Sequence, residues 1–151
     1  MIVKNLRNTR EDLGLKQKDL TTLFNVTYST ISGWETGKDT IPLRQLIKYA
    51  NKFNFSLDYL FGLTKTNESY LPLKIDLNVI SNNLTTIRKK HNKTQEQIAK
   101  VLNTSAGGYA HYENSRNLIP TSFIYSLALF YKDFSIDKTL GRKKTKKKIY
   151  N

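Results

Sequence analysis

Cysteine is absent from this chain. That single absence removes disulfides, thiolate metal sites and cysteine nucleophiles, and it fits a reducing compartment. Acidic residues are scarce: 12 Asp and Glu face 25 Lys and Arg, for a formal net charge of +13. Long apolar runs are missing too. None approaches the roughly 20 residues that a membrane-spanning helix needs, so no membrane partner is expected. The opening MIVKNLRNTRED lacks the apolar centre of a secretory signal. Histidine is limited to His91 and His111, and neither has a cysteine or a carboxylate cluster beside it in sequence. No metal site is expected from them. Paired free carboxylates and a nucleophile–base set are also missing, which argues against an enzyme and against a bound cofactor.

The positive charge is unevenly placed. Residues 1–62 hold nine basic and six acidic residues, residues 63–76 are neutral, and residues 77–141 hold eight and four. Residues 142–151 carry six basic residues and no acid. Such a balance points to a polyanionic partner. The last ten residues read as a basic, disordered arm for phosphates, against the plainer alternative of a solubilising end.

What is present is a repeat. Asn5, Leu6, Arg10, Gln17, Asn25, Glu35, Ile41, Pro42 and Ala50 recur 78 residues later as Asn83, Leu84, Arg88, Gln95, Asn103, Glu113, Ile119, Pro120 and Ala128. After one inserted residue, Phe55, Ser56, Asp58 and Gly62 recur at offset 79 as Phe134, Ser135, Asp137 and Gly141. A period this long holds a small domain, not a solenoid unit. The expected organisation is a first domain over 1–62, a linker over 63–76, a second domain over 77–141 and a basic tail over 142–151.

Each copy reads as five short helices. In the first, Leu6, Arg10 and Leu13 share a face, and Leu20, Leu23 and Phe24 share the next. Thr27 is placed to cap a helix to Thr36 that buries Ile31 and Trp34. Pro42 opens a helix striped with Leu43, Leu46, Ile47, Ala50 and Phe53, and Ser56 caps a last short one. In the second copy Asp76 caps a longer first helix, and Ile98, Val101 and Leu102 follow. Tyr109 and Tyr112 are expected to be buried, and Pro120 opens a helix that carries Phe123, Ile124, Leu127, Leu129 and Phe130. No segment alternates like a strand. The fold class expected is all-α.

Two short helices joined by a tight turn, the second exposing small polar residues at its start, form the layout of a helix-turn-helix. The string LKQKDLTTLFNVTYSTISGWETGKDTIP resembles the signature of the Cro/lambda-repressor-like (XRE-type) helix-turn-helix family, and NKTQEQIAKVLNTSAGGYAHYENSRNLIP resembles it less closely. FSLDYLFG and FSIDKTLG are similar to the family's fifth helix. The resemblance implies two tandem lambda-repressor-like five-helix domains that bind double-stranded DNA. It also implies site residues. Gln17 and Gln95 would meet phosphate or support neighbouring contacts. Thr27, Tyr28, Ser29 and Thr30 would form the exposed start of one recognition helix, with Ser105, Ala106, Gly107, Gly108 and His111 at the matching places of the other. Gly33 stands where the family often has a long polar reader. Lys38 and Arg116 follow the recognition helices, where phosphate lies within reach; Arg44, Lys89, Lys90 and Lys93 are weaker candidates. Arg10 with Glu35, and Arg88 with Glu113, would be ion pairs joining the first helix to the third.

The reading that follows is a sequence-specific, double-stranded DNA-binding transcriptional regulator, in the manner of a repressor. It would work in the cytoplasm at the nucleoid of a bacterium, phage or mobile element, with homodimerisation left open. Fourteen residues between Gly62 and Leu77 reach about 45 Å when extended. Both modules could then reach adjacent major-groove half-sites about 34 Å apart in one operator, and because their reading residues differ the half-sites would be unlike. The alternative is a protein-interaction module of the same fold, antitoxin-like or inhibitory. Gly33, Gly107 and Gly108 favour that alternative and the basic balance opposes it.

Overall fold

The computed structural model describes residues 1–146. Among them are ten helices and no strand: α1 Leu6–Asp12, α2 Gln17–Phe24, α3 Tyr28–Thr36, α4 Leu43–Phe53, α5 Leu57–Leu60, α6 Leu77–Lys90, α7 Gln95–Val101, α8 Ala106–Glu113, α9 Thr121–Tyr131 and α10 Ile136–Thr139. Helices α6 to α10 repeat α1 to α5 in order.

Local chemistry sets the boundaries. The Thr27 hydroxyl accepts from Thr30 N at the start of α3, and Ser105 Oγ accepts from Gly108 N at the start of α8. Both helix-turn-helix turns pass through a left-handed asparagine, Asn25 (φ 52°) and Asn103 (φ 55°). Asparagine tolerates that conformation because its short polar side chain bonds locally. Thr94 and Gln97 close a reciprocal capping box on α7. The inserted residue of the second copy lies in the turn after α9. There Asp133 pairs with Lys90 and with His91.

Each copy has its own packed centre. Leu20, Ile31, Leu46, Tyr49, Leu57 and Leu60 are fully buried in the first, and Leu84, Ile98, Tyr109, Ile124, Leu127 and Ile136 in the second. Each such side chain contributes about 1.5–3 kcal/mol by leaving water. Four apolar residues of the helical patterns are exposed. Leu13 ends α1 beyond the reach of the core, and Val101 ends α7 on the outer side. Leu129 and Phe130 lie on the outer face of α9, a helix apolar nearly all round, so its pattern does not show which side faces in. Tyr112 is only half-buried.

The two copies support each other, as domains this small require. They pack directly, each giving the other the same kind of support. Asp137 accepts from Ser56 Oγ (2.8 Å), Leu57 N (2.8 Å) and Asp58 N (2.9 Å) at the start of α5. Asp58 accepts from Ser135 Oγ (2.6 Å) and Ile136 N (2.6 Å) at the start of α10. Each carboxylate thus caps the other copy's last helix. Thr121 donates to the Ile41 carbonyl across the same junction, and Phe61 stacks on Tyr125.

The spacer packs through Leu73, and the start of the tail differs from expectation. Tyr70 and Leu73 are buried, and Asn51 bonds both backbone groups of Leu73. Arg142 is not part of a disordered arm. It is 4% exposed and donates to Asp137, to the Phe55 carbonyl and to the Leu71 carbonyl. A buried guanidinium needs this many acceptors, and the junction supplies them. Residues 143–145 then run antiparallel to 69–71, with one isolated bridge between Tyr70 and Lys144. Expectations for residues 147–151 lie outside the described residues.

Candidate nucleic-acid interface

Helices α3 and α8 are each anchored from behind. Arg10 Nε and Nη2 reach Glu35 Oε2 and Oε1 at 2.7 and 2.8 Å, with both side chains buried. Arg88 and Glu113 repeat the contact at 2.9 Å. The guanidiniums also take the Leu15 and Lys93 carbonyls that follow α1 and α6. The end of α3 is thereby fixed to α1, and the end of α8 to α6. Burial pushes the Glu35 carboxyl up, but the hydrogen bonds from Arg10 and Gln17 outweigh it and hold the group below the usual carboxylate range. Glu113 shows the same balance with Arg88.

Gln17 and Gln95 point their amide nitrogens at these glutamates, Gln17 Nε2 to Glu35 Oε1 at 3.0 Å and Gln95 Nε2 to Glu113 Oε1 at 3.3 Å. Both are half-buried. Their amide donors therefore brace the ends of α3 and α8.

The start of α3 faces solvent. Tyr28 is 62% exposed, Thr27 and Ser29 are exposed, and Thr30 is half-exposed with its hydroxyl 3.1 Å from Thr27 Oγ1. The start of α8 is as open but chemically bare. Ser105, Ala106 and Gly107 are exposed, and Gly108 and His111 are half-exposed. A Cβ at Gly107 would meet nothing within 4 Å, whereas one at Gly108 would come within 3.1 Å of the Ser105 and Thr104 hydroxyls. Packing therefore accounts for the second glycine only.

Gly33 is buried, and a Cβ there would lie 2.8 Å from Oδ2 of Asp39, the movable end of an exposed side chain. Asp39 folds back onto the helix, its N–H donating to the Gly33 carbonyl. The Gly33 carbonyl is where the following loop closes, and the side-chain end of exposed Asp39, not backbone, is what covers the glycine. His111, its counterpart in α8, has no such cover.

Lys38 and Arg116 are exposed just past the two recognition helices, and Arg44 is exposed at the start of α4. Of the weaker candidates, Lys89 is exposed, Lys90 pairs with Asp133, and Lys93 lies over the Phe130 ring. Sequence reasoning missed Asp39, Thr121 and Arg142, none of which is shared by the two copies in kind. It saw Asp58 and Asp137 recur but gave them no partner. Among the described residues no group of three or more His, Asp or Glu could hold a metal, and no helix is long and apolar enough to cross a membrane.

Comparison with known proteins agrees with this geometry. A model of the helix-turn-helix family matches the chain twice, over residues 6–60 and 84–138. No curated protein and no solved structure matches it. The two matches cover most of the chain and coincide with α1–α5 and with the bulk of α6–α10. The chain belongs to the helix-turn-helix family of the XRE/Cro type, a family of DNA-binding domains, and carries that domain in two tandem copies.

Proposed function

We propose that this protein is a sequence-specific regulator of transcription that binds double-stranded DNA through α3 and α8. The observation that carries the proposal is the exposed row Thr27, Tyr28, Ser29 and Thr30 on a helix pinned from behind by a buried ion pair. Short polar side chains at the start of a helix reach base edges in the major groove. Rigid support keeps them in register. Lys38, Arg44 and Arg116 then supply phosphate contacts, which set affinity and not sequence. An occupied promoter is closed to other proteins, so repression by occlusion is the working mechanism.

The bare start of α8 favours a second reading for that domain alone: it adds affinity or contacts a protein while α3 reads. Selection of bound sequences from random duplex DNA, using the full chain, tests the proposal. Enrichment of a defined sequence, with affinity falling steeply as salt rises, is the expected result. Salt-insensitive binding, or none, would leave the protein-interaction reading.

A further inference from the structure

The contacts between the two domains are returned in kind. Asp137 caps α5 at Leu57 N, and Asp58 caps α10 at Ile136 N. These are the same contact with the two copies interchanged, since 136 and 137 are the repeats of 57 and 58. A head-to-tail arrangement does not return its contacts. An arrangement in which i meets j and j meets i is that of a two-fold axis. A second observation agrees. The groove at the junction is lined by residues 40–44 and 118–122, which are five equivalent pairs at offset 78. These segments follow α3 and α8 in the chain, so equivalent stretches of the two copies meet at the junction.

Resting on the DNA-reading function above, we infer that one chain occupies a complete operator made of two inverted, unequal half-sites, and does so in a single orientation. Two recognition helices related by a dyad meet the duplex in opposite senses, which demands inverted half-sites. The halves are unequal because the reading surfaces are: Tyr28, Ser29 and Thr30 on one side face Ala106, Gly107 and Gly108 on the other. Beside the axis, Arg44 is matched by Ser122. The two-fold surface is consumed within the chain, so no second copy is needed to build the site.

The absence of cysteine makes the test clean. Lys18→Cys and Glu96→Cys place a single thiol at equivalent exposed positions of α2 and α7, outside the residues assigned to binding. Each full-length variant is labelled with an iron chelate that cleaves nearby DNA and is bound to the selected duplex. The expected result is one chain per duplex, with each label cutting one end only, the two labels at opposite ends and their strand patterns mirror-related. Joining two inverted copies of the half cut by the Lys18 label should make both labels cut both ends. Two chains per duplex, cuts offset alike without mirror symmetry, or both ends cut equally on the selected duplex would each overturn the inference while leaving DNA reading intact. Failure to enrich any duplex would overturn the DNA-reading function itself, and the inference with it.

Discussion

At the scale of single residues, the anchors and the proposed readers make different demands. Glu35 is buried against Arg10, and removing it strands a guanidinium. Glu35→Ala should destabilise the chain by about 3–5 kcal/mol, measured by urea unfolding; a change under about 0.5 kcal/mol would show that the pair is ornamental. Because the folded Glu35 carboxyl lies below its ordinary range, its contribution is present above the ordinary carboxylate pKa and lost as pH falls through the folded value. The readers behave in the opposite way. Tyr28, Ser29 and Thr30 are exposed or half-exposed, so replacing all three by alanine should leave the fold intact. The triple variant should lose preference for the selected operator and retain weak, salt-dependent binding. His111→Ala should cost less. Equal loss of specificity in the two variants would make α8 an equal reader.

At the scale of elements, α8 is the informative case. Two consecutive glycines weaken a helix by about 1 kcal/mol each relative to alanine, yet only Gly108 is hemmed in. Gly107→Ala should therefore raise stability by about 1 kcal/mol in thermal unfolding, and a loss of stability would contradict the open space around it. DNA affinity of the same variant is the second readout. A fall marks a backbone that DNA approaches closely, and no change marks a helix start that DNA does not touch. Most elements were legible in the sequence because their ends carry local signals: Thr27, Ser56, Asp76 and Ser135 cap where their side chains predict. Burial was less legible where a helix is apolar all round, as with Leu129 and Phe130 on α9. The cover on Gly33 was not legible because its neighbour in space, Asp39, lies six residues on, in a loop with no periodicity. The junction was the least legible part. Asp58 and Asp137 stood out as repeats, but a repeat does not reveal whether its copies touch each other.

At the scale of the molecule, the axis brings two carboxylates together and supplies one arginine. Arg142 pairs with Asp137. The hydrogen bonds to Asp58 come from the start of α10, and burial, with Asp137 nearby, pushes its carboxyl up to about 6. A raised folded pKa means stability that is complete below the ordinary value near 3.8 and is lost as pH rises through about 6. A rise of that size corresponds to at most about 3 kcal/mol. Asp58→Asn keeps an acceptor for Ile136 N and mimics the protonated form. The variant should be more stable than the parent at about pH 7.5, with the gap closing toward about pH 4.5, in parallel melting curves. An unchanged or widening gap toward acid would show that Asp58 is comfortably ionised. The tail divides at the same junction. Removing residues 147–151 takes away two lysines and leaves Arg142 in place. Melting should not change, and the slope of log affinity against log salt should shrink by about 0.9 for each phosphate that is no longer neutralised. An identical slope would assign those lysines to solubility.

The internal axis also changes what a mutation is. In an assembly of identical subunits every substitution is made twice, so a change that suits one half of the target is imposed on the other. Here each change is made once. That freedom is visible beside the axis, where Leu63 on one side corresponds to Arg142 on the other and Arg44 to Ser122. One half can keep its grip while the other drifts, which gives this architecture a route to new targets through intermediates that still bind the old one.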